Sequence, residues 1–299
     1  MRQGAPLLQQ FHHACEAIAL MLDKLGEKID QLIQQKPMYQ EALLVYRELL
    51  GFLDETQPVI TYDAGDASVR EIKTREGFPL FSRGDLPIDH EGAVLLFQRL
   101  LEHLSSTKRK DKDALEQALT RVQGEPTWVR DVIGAVLSGD EGRITTMSQE
   151  VSLSPVVAKF LAHMALKPSM RSLRESSAEV IQGYTWNYGY CPLCGSPSNM
   201  AYLSDEGKRF LHCELCGYEW HYPRLKCPFC GEERAKELGY FTSEEDEGYR
   251  VDFCKKCKRY IKTLDMRLIG FPAPLELENL ITLHLDVLAQ KQGLKASGD

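Results

Sequence analysis

The chain lacks any apolar run approaching the roughly 20 residues that a membrane-spanning helix needs, so no membrane insertion is expected. Its first segment, MRQGAPLLQQFHHACEAIALML, has one basic residue and no small-residue cleavage pattern. No secretory leader is therefore expected, and the compartment reads as cytoplasmic. An excess of basic charge is missing too: the formal net charge is −7, the wrong sign for a protein that grips nucleic acid along its whole surface. No P-loop, H-E-x-x-H, G-x-S-x-G or G-x-G-x-x-G string occurs, and no enzyme is expected. Cysteine is nearly absent from the first 190 residues, with Cys15 alone there, whereas eight cysteines fall between Cys191 and Cys257.

What is present is an ordinary globular composition, 43% hydrophobic and 26% charged over 299 residues. At roughly 100–200 residues per domain, that length suggests two or three domains. Up to about residue 182 the periodicity is helical. Phe11, Cys15, Ile18, Leu22, Leu25, Ile29 and Leu32 alternate steps of four and three, the stripe of one long helix, and Cys15 on that stripe reads as a buried, inert thiol. Further helices are predicted over 39–54, 57–75, 90–105, 112–122, 126–138 and 155–182, the last opened by Ser154 and Pro155. Between them, 76–89 holds two prolines and two glycines and cannot be helical. Phe78, Leu80, Phe81, Leu86 and Ile88 make it a loop packed on the surface, either a docked connector or a partner-contacting segment that includes Phe81 and Arg83.

From Gly183 the period becomes two. Tyr184, Trp186, Tyr188 and Tyr190 line one face of an extended segment, as a packing interface between the cysteine region and the helices or as a base-stacking face. The eight cysteines then form four C-x-x-C pairs in a tandem repeat. Cys191-Pro-Leu-Cys194-Gly is matched by Cys227-Pro-Phe-Cys230-Gly, and each is followed by a strand, a polar turn ending in glycine, a return strand and a second pair, Cys213/Cys216 or Cys254/Cys257. Trp220 and Ile261 each sit four residues beyond the second pair. Two such turns joined by a hairpin supply four thiolates in a tetrahedron, suited to zinc or to a rubredoxin-like iron. Units of about 40 residues bury too little surface to fold unaided, and the metal supplies what the core lacks. Two metal ions per chain are expected, zinc or iron, held by Cys191, Cys194, Cys213 and Cys216 and by Cys227, Cys230, Cys254 and Cys257.

Redox-active dithiols of thioredoxin type would sit beside a βαβ pattern that is absent. Residues 183–270 contain 13 Lys/Arg and 13 Asp/Glu, so the ribbons are not basic overall; Lys255, Lys256, Lys258, Arg259 and Lys262 balance the tetrathiolate centre beside them. His212, Glu219, His221, Arg224 and Lys226, on the string joining the ribbons, are candidates for sulfur-supporting donors, an inter-ribbon seam or a partner surface. After Pro272 and Pro274, a final helix over 275–291 is predicted, then a frayed tail. The fold class is α+β: an all-α N-terminal domain over 1–182, two tandem four-cysteine ribbons over 183–226 and 227–270, and a C-terminal helix and tail over 271–299.

At this string the chain resembles the FdhE family of formate dehydrogenase accessory proteins. The resemblance rests on Tyr190-Cys-Pro-Leu-Cys-Gly-Ser196, Leu211-His-Cys-Glu-Leu-Cys216, Glu219-Trp-His221 with Arg224, and Lys226-Cys227. The fourth pair with Tyr260-Ile-Lys-Thr-Leu264, and the loop from Pro79 to Asp89, fit as well. It is sharp over about 184–266, and all eight family cysteines have counterparts. It implies a helical domain followed by two rubredoxin-like ribbons, and a cytoplasmic, non-enzymatic maturation factor that engages the catalytic subunit of a respiratory formate dehydrogenase. No nucleic-acid partner is expected, and a homodimer is left open. His221, Arg224, Phe81 and Arg83 are the candidate partner-binding residues. The rival readings are a rubredoxin-like iron redox protein and a zinc-ribbon nucleic-acid binder.

Overall fold

The computed structural model describes residues 25–62, 65–107, 110–125, 127–181, 185–243, 246–269 and 273–296. Cys15, most of the first predicted helix and Tyr184 lie outside these residues. Helix α1 is described over 25–35, followed by α2 (Gln40–Asp54), α3 (Ala67–Arg75), α4 (His90–Ser106), α5 (Lys112–Gly124), α6 (Thr127–Ser138), α7 (Glu141–Glu150) and α8 (Pro155–Ile181). The body is built around α4 and α8. Asp89 caps α4 by accepting from the Gly92 amide at 2.8 Å, and Phe97, Leu100, Leu101 and Leu104 follow at helical spacing, all buried. The 27 residues of α8 run about 40 Å at 1.5 Å per residue, bearing on α4, α6 and α7.

Two of the helix expectations need correction. Residues 57–62, 65 and 66 are not helical; α3 starts only at Ala67, where Asp66 accepts from the Ser68 amide at 2.8 Å. Pro58 disfavours helix in the residue before it, and Gly65 at φ +71° opens the chain just ahead of the cap. Conversely, α7 has no strong sequence signal, because Gly142 and the Ile144-Thr-Thr run are poor helix formers. It is set by its cap, Asp140 accepting from the Arg143 amide at 2.9 Å, and by burial of Ile144 and Met147.

Beyond the helices lie six strands: β1 (Ser198–Leu203), β2 (Arg209–Cys213), β3 (Glu219–His221), β4 (Leu238–Thr242), β5 (Tyr249–Cys254) and β6 (Tyr260–Asp265). Each repeat contributes one three-stranded antiparallel meander. What spacing could not tell is how the repeats meet. They join into one sheet, ordered β3-β2-β1-β6-β5-β4, through parallel pairing of β1 with β6 from Met200↔Lys262 to Leu203↔Asp265.

The single C-terminal helix is also corrected. After the short α9 (Met266–Ile269), the chain forms α10 (Leu275–Leu280) and α11 (Leu283–Lys291), broken at Ile281–Thr282. Buried Lys262 explains the break. Its ammonium takes the Asn279 carbonyl at 2.9 Å and the Asp286 carboxylate at 2.6 Å, placing a cation at the carbonyl end of α10. The tail is pinned at first: Lys295 accepts from the Tyr260 amide and donates to the Lys258 carbonyl, and Leu294 is buried. A clamp ties the second repeat to the helices, with Asp246 meeting both Lys36 and His284 and the Tyr39 hydroxyl lying 2.9 Å from His284 Nδ1.

Candidate metal centres

Each C-P-x-C-G string folds into a tight knuckle. In the first, the Cys191 amide donates to the Ser196 carbonyl at 2.8 Å and the Gly195 amide to the Cys191 carbonyl at 2.9 Å; in the second, Cys227 reaches Glu232 and Gly231 reaches Cys227 at 2.8 and 3.0 Å. Gly195 and Gly231 have φ near +70°, a region that side chains resist. The residue after each second pair also needs it: Gly217 in the first repeat and, against preference, Lys258 at φ +60° in the second.

The four knuckles bring the thiols together as the repeat predicts. Cys191, Cys194, Cys213 and Cys216 form one cluster and Cys227, Cys230, Cys254 and Cys257 another, with all sulfurs of a cluster within 4.8 Å of one another. The sulfur pairs stand at 3.5, 3.5 and 3.6 Å in the first and at 3.7 and 3.8 Å in the second. A tetrahedral ion with metal–sulfur bonds of about 2.3 Å requires sulfurs about 3.8 Å apart. The donor sets therefore fit, and each cluster could hold one metal ion; zinc and iron share these ligands and this geometry.

The clusters differ in their surroundings. All four thiols of the first are buried and belong to the main hydrophobic core, whereas Cys230 is exposed and Cys257 half-buried in the second. Burial pushes the Cys191 and Cys213 thiols up, while hydrogen bonds from Cys191, Cys213 and Cys216 pull Cys194 well below the ordinary thiol range. The second repeat follows suit: burial raises Cys227 and Cys257, while at Cys230 the desolvation is outweighed by the Glu232 amide and the three neighbouring thiols together, which lower it. A metal is bound by thiolates and must displace the thiol protons, so acid opposes loading.

The helical body grips the first cluster. The 76–89 loop lies along its knuckle, the Leu80 amide donating to the Pro192 carbonyl at 2.8 Å and the Phe81 amide to the Leu193 carbonyl at 2.9 Å. Arg83 closes the end of α6 through the Leu137 and Val136 carbonyls at 2.8 and 3.0 Å, and the Phe81 ring meets Tyr62 edge-on. Phe81 and Arg83 are thus held in intramolecular contacts, and the solvent-facing aromatic of the loop is Phe78. Trp186, Tyr188 and Tyr190 pack on one another, and the Tyr190 hydroxyl donates to the Gly77 carbonyl at 2.6 Å, the interface reading of that aromatic face. Trp220 and Ile261 are buried in the same core.

The polar string between the repeats divides. His212 is buried, 3.0 Å from Asn199 through Nδ1, and burial brings it down to about 4, hence neutral. Glu219 accepts from the Tyr202 hydroxyl at 2.9 Å and Lys226 pairs with Glu233 at 3.0 Å. His221 and Arg224 face solvent. Within the basic run, Lys256 pairs with Glu232 at 3.2 Å, and Lys262 is buried under the C-terminal helices and does not reach the surface. Sequence reasoning missed Arg209, a buried cation in β2 that holds the linker through the Pro223 and Lys226 carbonyls. It also missed a cavity of about 250 Å³ beside Cys216, where Lys167 donates to the Tyr46 hydroxyl at 2.7 Å and stands 3.4 Å from Glu276. No local signal announces it, because its walls come from four separate segments, within 25–54, 167–174, 212–219 and 274–276.

The family model of the FdhE central domain matches residues 190–224, which span the first cluster and the linker. An FdhE homolog of Pseudomonas putida is 34% identical over 253 residues, covering 79% of this chain and 74% of that protein. The chain belongs to the FdhE family. The FdhE homolog of Aquifex aeolicus is 41% identical over 112 residues, and that of Stutzerimonas stutzeri 32% over 155. These alignments take in only 39% and 47% of those relatives' own length. The crystal structure of the FdhE protein from Pseudomonas aeruginosa superposes with a TM-score of 0.67 at 23% identity, covering 93% of this chain and 94% of that one, so the fold is shared almost throughout.

Proposed function

We propose that the chain is a cytoplasmic, non-enzymatic accessory protein for a formate dehydrogenase, and that it binds the catalytic subunit of that enzyme during maturation. Family membership supplies the enzyme with which it is associated. The observation that carries a binding role is the seating of the first cluster. Its four thiols are sealed in the core where the 76–89 loop, α8 and the sheet meet, so a metal there fixes the helical body against the sheet and leaves no approach for a substrate. Metal at Cys191, Cys194, Cys213 and Cys216, and at Cys227, Cys230, Cys254 and Cys257, is then structural, two ions per chain. Among the described residues no helix is long and apolar enough to cross a membrane.

On this reading the client meets the solvent-facing linker at His221 and Arg224, with the loop held in register by Phe81 and Arg83. The test is capture of the catalytic subunit on the immobilised full chain. His221→Ala with Arg224→Ala should weaken capture by on the order of tenfold or more, in the range for charged interface contacts, while two metals per chain remain. Full capture by this double variant moves the surface elsewhere, and loss of metal from it makes the linker a support of the clusters.

A further inference from the structure

The cavity of about 250 Å³ beside Cys216 lies where α2, α8, the first cluster and the start of α10 meet, and neither the metal sites nor the client surface accounts for it. Leu50, Leu53, Met170, Leu215 and Leu275 give it apolar walls. Its charged lining is balanced, with the cations Lys167, Arg171 and Arg174 against the carboxylates Asp54, Glu219 and Glu276. Two ion pairs hold four of these groups, Lys167 with Glu276 at 3.4 Å and Arg171 with Asp54 at 3.3 Å. Neither sign is in surplus, so no net charge is called for in an occupant.

One corner of the cavity gathers polar atoms that are not used up. Gly217 stands there at φ +67°, just past the second cysteine pair of the first repeat. A Cβ on it would lie 2.9 Å from Arg174 Nη1 and 3.6 Å from both Glu276 Oε1 and His212 Nε2, so atoms from α8, α10 and β2 close on one point. His212 is only 3% exposed, and its Nδ1 is already 3.0 Å from Asn199. Its Nε2 has no hydrogen-bond partner among the described residues and is directed at this corner. Among the same residues Arg174 commits only Nη1, to the Cys216 and Gly217 carbonyls at 3.5 and 3.1 Å. Leaving a buried polar atom unpaired is costly, and apolar walls with a few convergent polar groups are the usual form of a small-molecule site.

We infer that this cavity binds an uncharged small molecule that carries a carboxamide edge on an apolar body. The carboxamide oxygen would accept from Arg174, its nitrogen would donate to Glu276, and His212 Nε2 would meet whichever of the two its tautomer suits. The apolar body would lie against Leu50, Leu53 and Met170. A carboxylate head is disfavoured because Glu276 shares the corner with Arg174, and an amidinium head is disfavoured by Arg174 itself: each would be buried beside its like charge. Since the walls come from both the helical body and the first cluster, an occupant would tie the two together. Such a ligand would bind whether or not the chain meets a formate dehydrogenase.

The test titrates benzamide, and its near-isosteres benzoate and benzamidine, onto the full chain with zinc in both clusters, followed by methyl NMR shifts and thermal unfolding. Benzamide should saturate with a dissociation constant of about a millimolar, as its size allows. It should move the methyl signals of Leu50, Leu53, Met170 and Leu215 and raise the melting temperature. Benzoate and benzamidine should bind on the order of tenfold more weakly. Leu50→Trp, which fills the cavity from a half-buried position, should abolish the shifts with two metals retained. His212→Asn keeps an amide where Nδ1 meets Asn199 and removes Nε2, and should weaken benzamide by on the order of tenfold. The inference is overturned by the absence of a saturable benzamide shift, by shifts confined to residues away from the cavity, by equal binding of the three probes, or by undiminished binding to either variant. The methyl map is read on the parent chain, so it decides even where a variant loses metal.

Discussion

Replacing one thiol in each cluster should have unequal consequences, because only the first cluster lies in the core. A structural four-cysteine site contributes on the order of 10–16 kcal/mol, so one ligand in four accounts for roughly 3–4 kcal/mol, a few hundredfold in affinity. Cys230 is exposed, and a hydroxyl there is solvated, so Cys230→Ser should lose that amount and little else. Cys194 is 0% exposed, and a hydroxyl there is cut off from water beside weak thiol partners, a further cost of about 1–3 kcal/mol. The consequences also differ in reach. Cys194 lies 3.5 and 3.6 Å from the Cys213 and Cys216 sulfurs, in the knuckle on which the 76–89 loop rests, and β1 beside it pairs with β6 of the other repeat. Cys230→Ser should therefore give one metal per chain with the helical body melting near its normal temperature. Cys194→Ser should empty the first site, lower the melting of the whole chain and loosen the second ion. Elemental analysis beside thermal unfolding followed at the helical circular dichroism signal reads both. The reasoning is refuted if Cys230→Ser releases both ions, or if the two variants are equally destabilised.

Other outcomes follow from groups outside the clusters. Burial, aided by the charges of Lys159, Arg83 and Lys167, brings His163 down to about 4, so it is neutral when folded and regains an ordinary value near 6.5 when unfolded. Stability from this residue is complete above about pH 6.5 and is lost as pH falls towards 4, up to about 3 kcal/mol; in urea titrations the parent should lose stability relative to His163→Gln as pH falls from about 6.5 towards 4, because glutamine has no charge to bury, and parallel curves would contradict it. Asp246→Ala strands Lys36 and His284, both partly exposed, and should cost about 2 kcal/mol without loss of metal, read by chemical denaturation; an unchanged midpoint removes the clamp from the account.

The legible parts of the fold are those written in local spacing. The eight cysteines fall into their two clusters because each repeat carries its own ligands, turn glycine and return strand, and α8 begins at its proline because Ser154-Pro155 is a local start signal. What sequence could not supply is long-range. The β1–β6 pairing joins residues about 60 apart with no turn to set the register. The break between α10 and α11 depends on Lys262 of a distant strand, which composition places in a basic surface run. Arg83 reads as a surface cation for a partner, yet the carbonyls of α6 claim it. The predicted start at 57 misleads in another way, since Pro58, Gly65 and the Asp66 cap are local signals that place the helix start at Ala67 instead.

The most direct test is affinity capture of the full, metal-loaded chain from its native host grown under conditions that induce formate dehydrogenase, with the bound proteins identified by mass spectrometry. The account predicts the catalytic subunit of formate dehydrogenase in stoichiometric amount, together with two metal ions per captured chain. A chain that carries both ions but brings down nucleic acid, or no formate dehydrogenase subunit while the enzyme is being made, contradicts it.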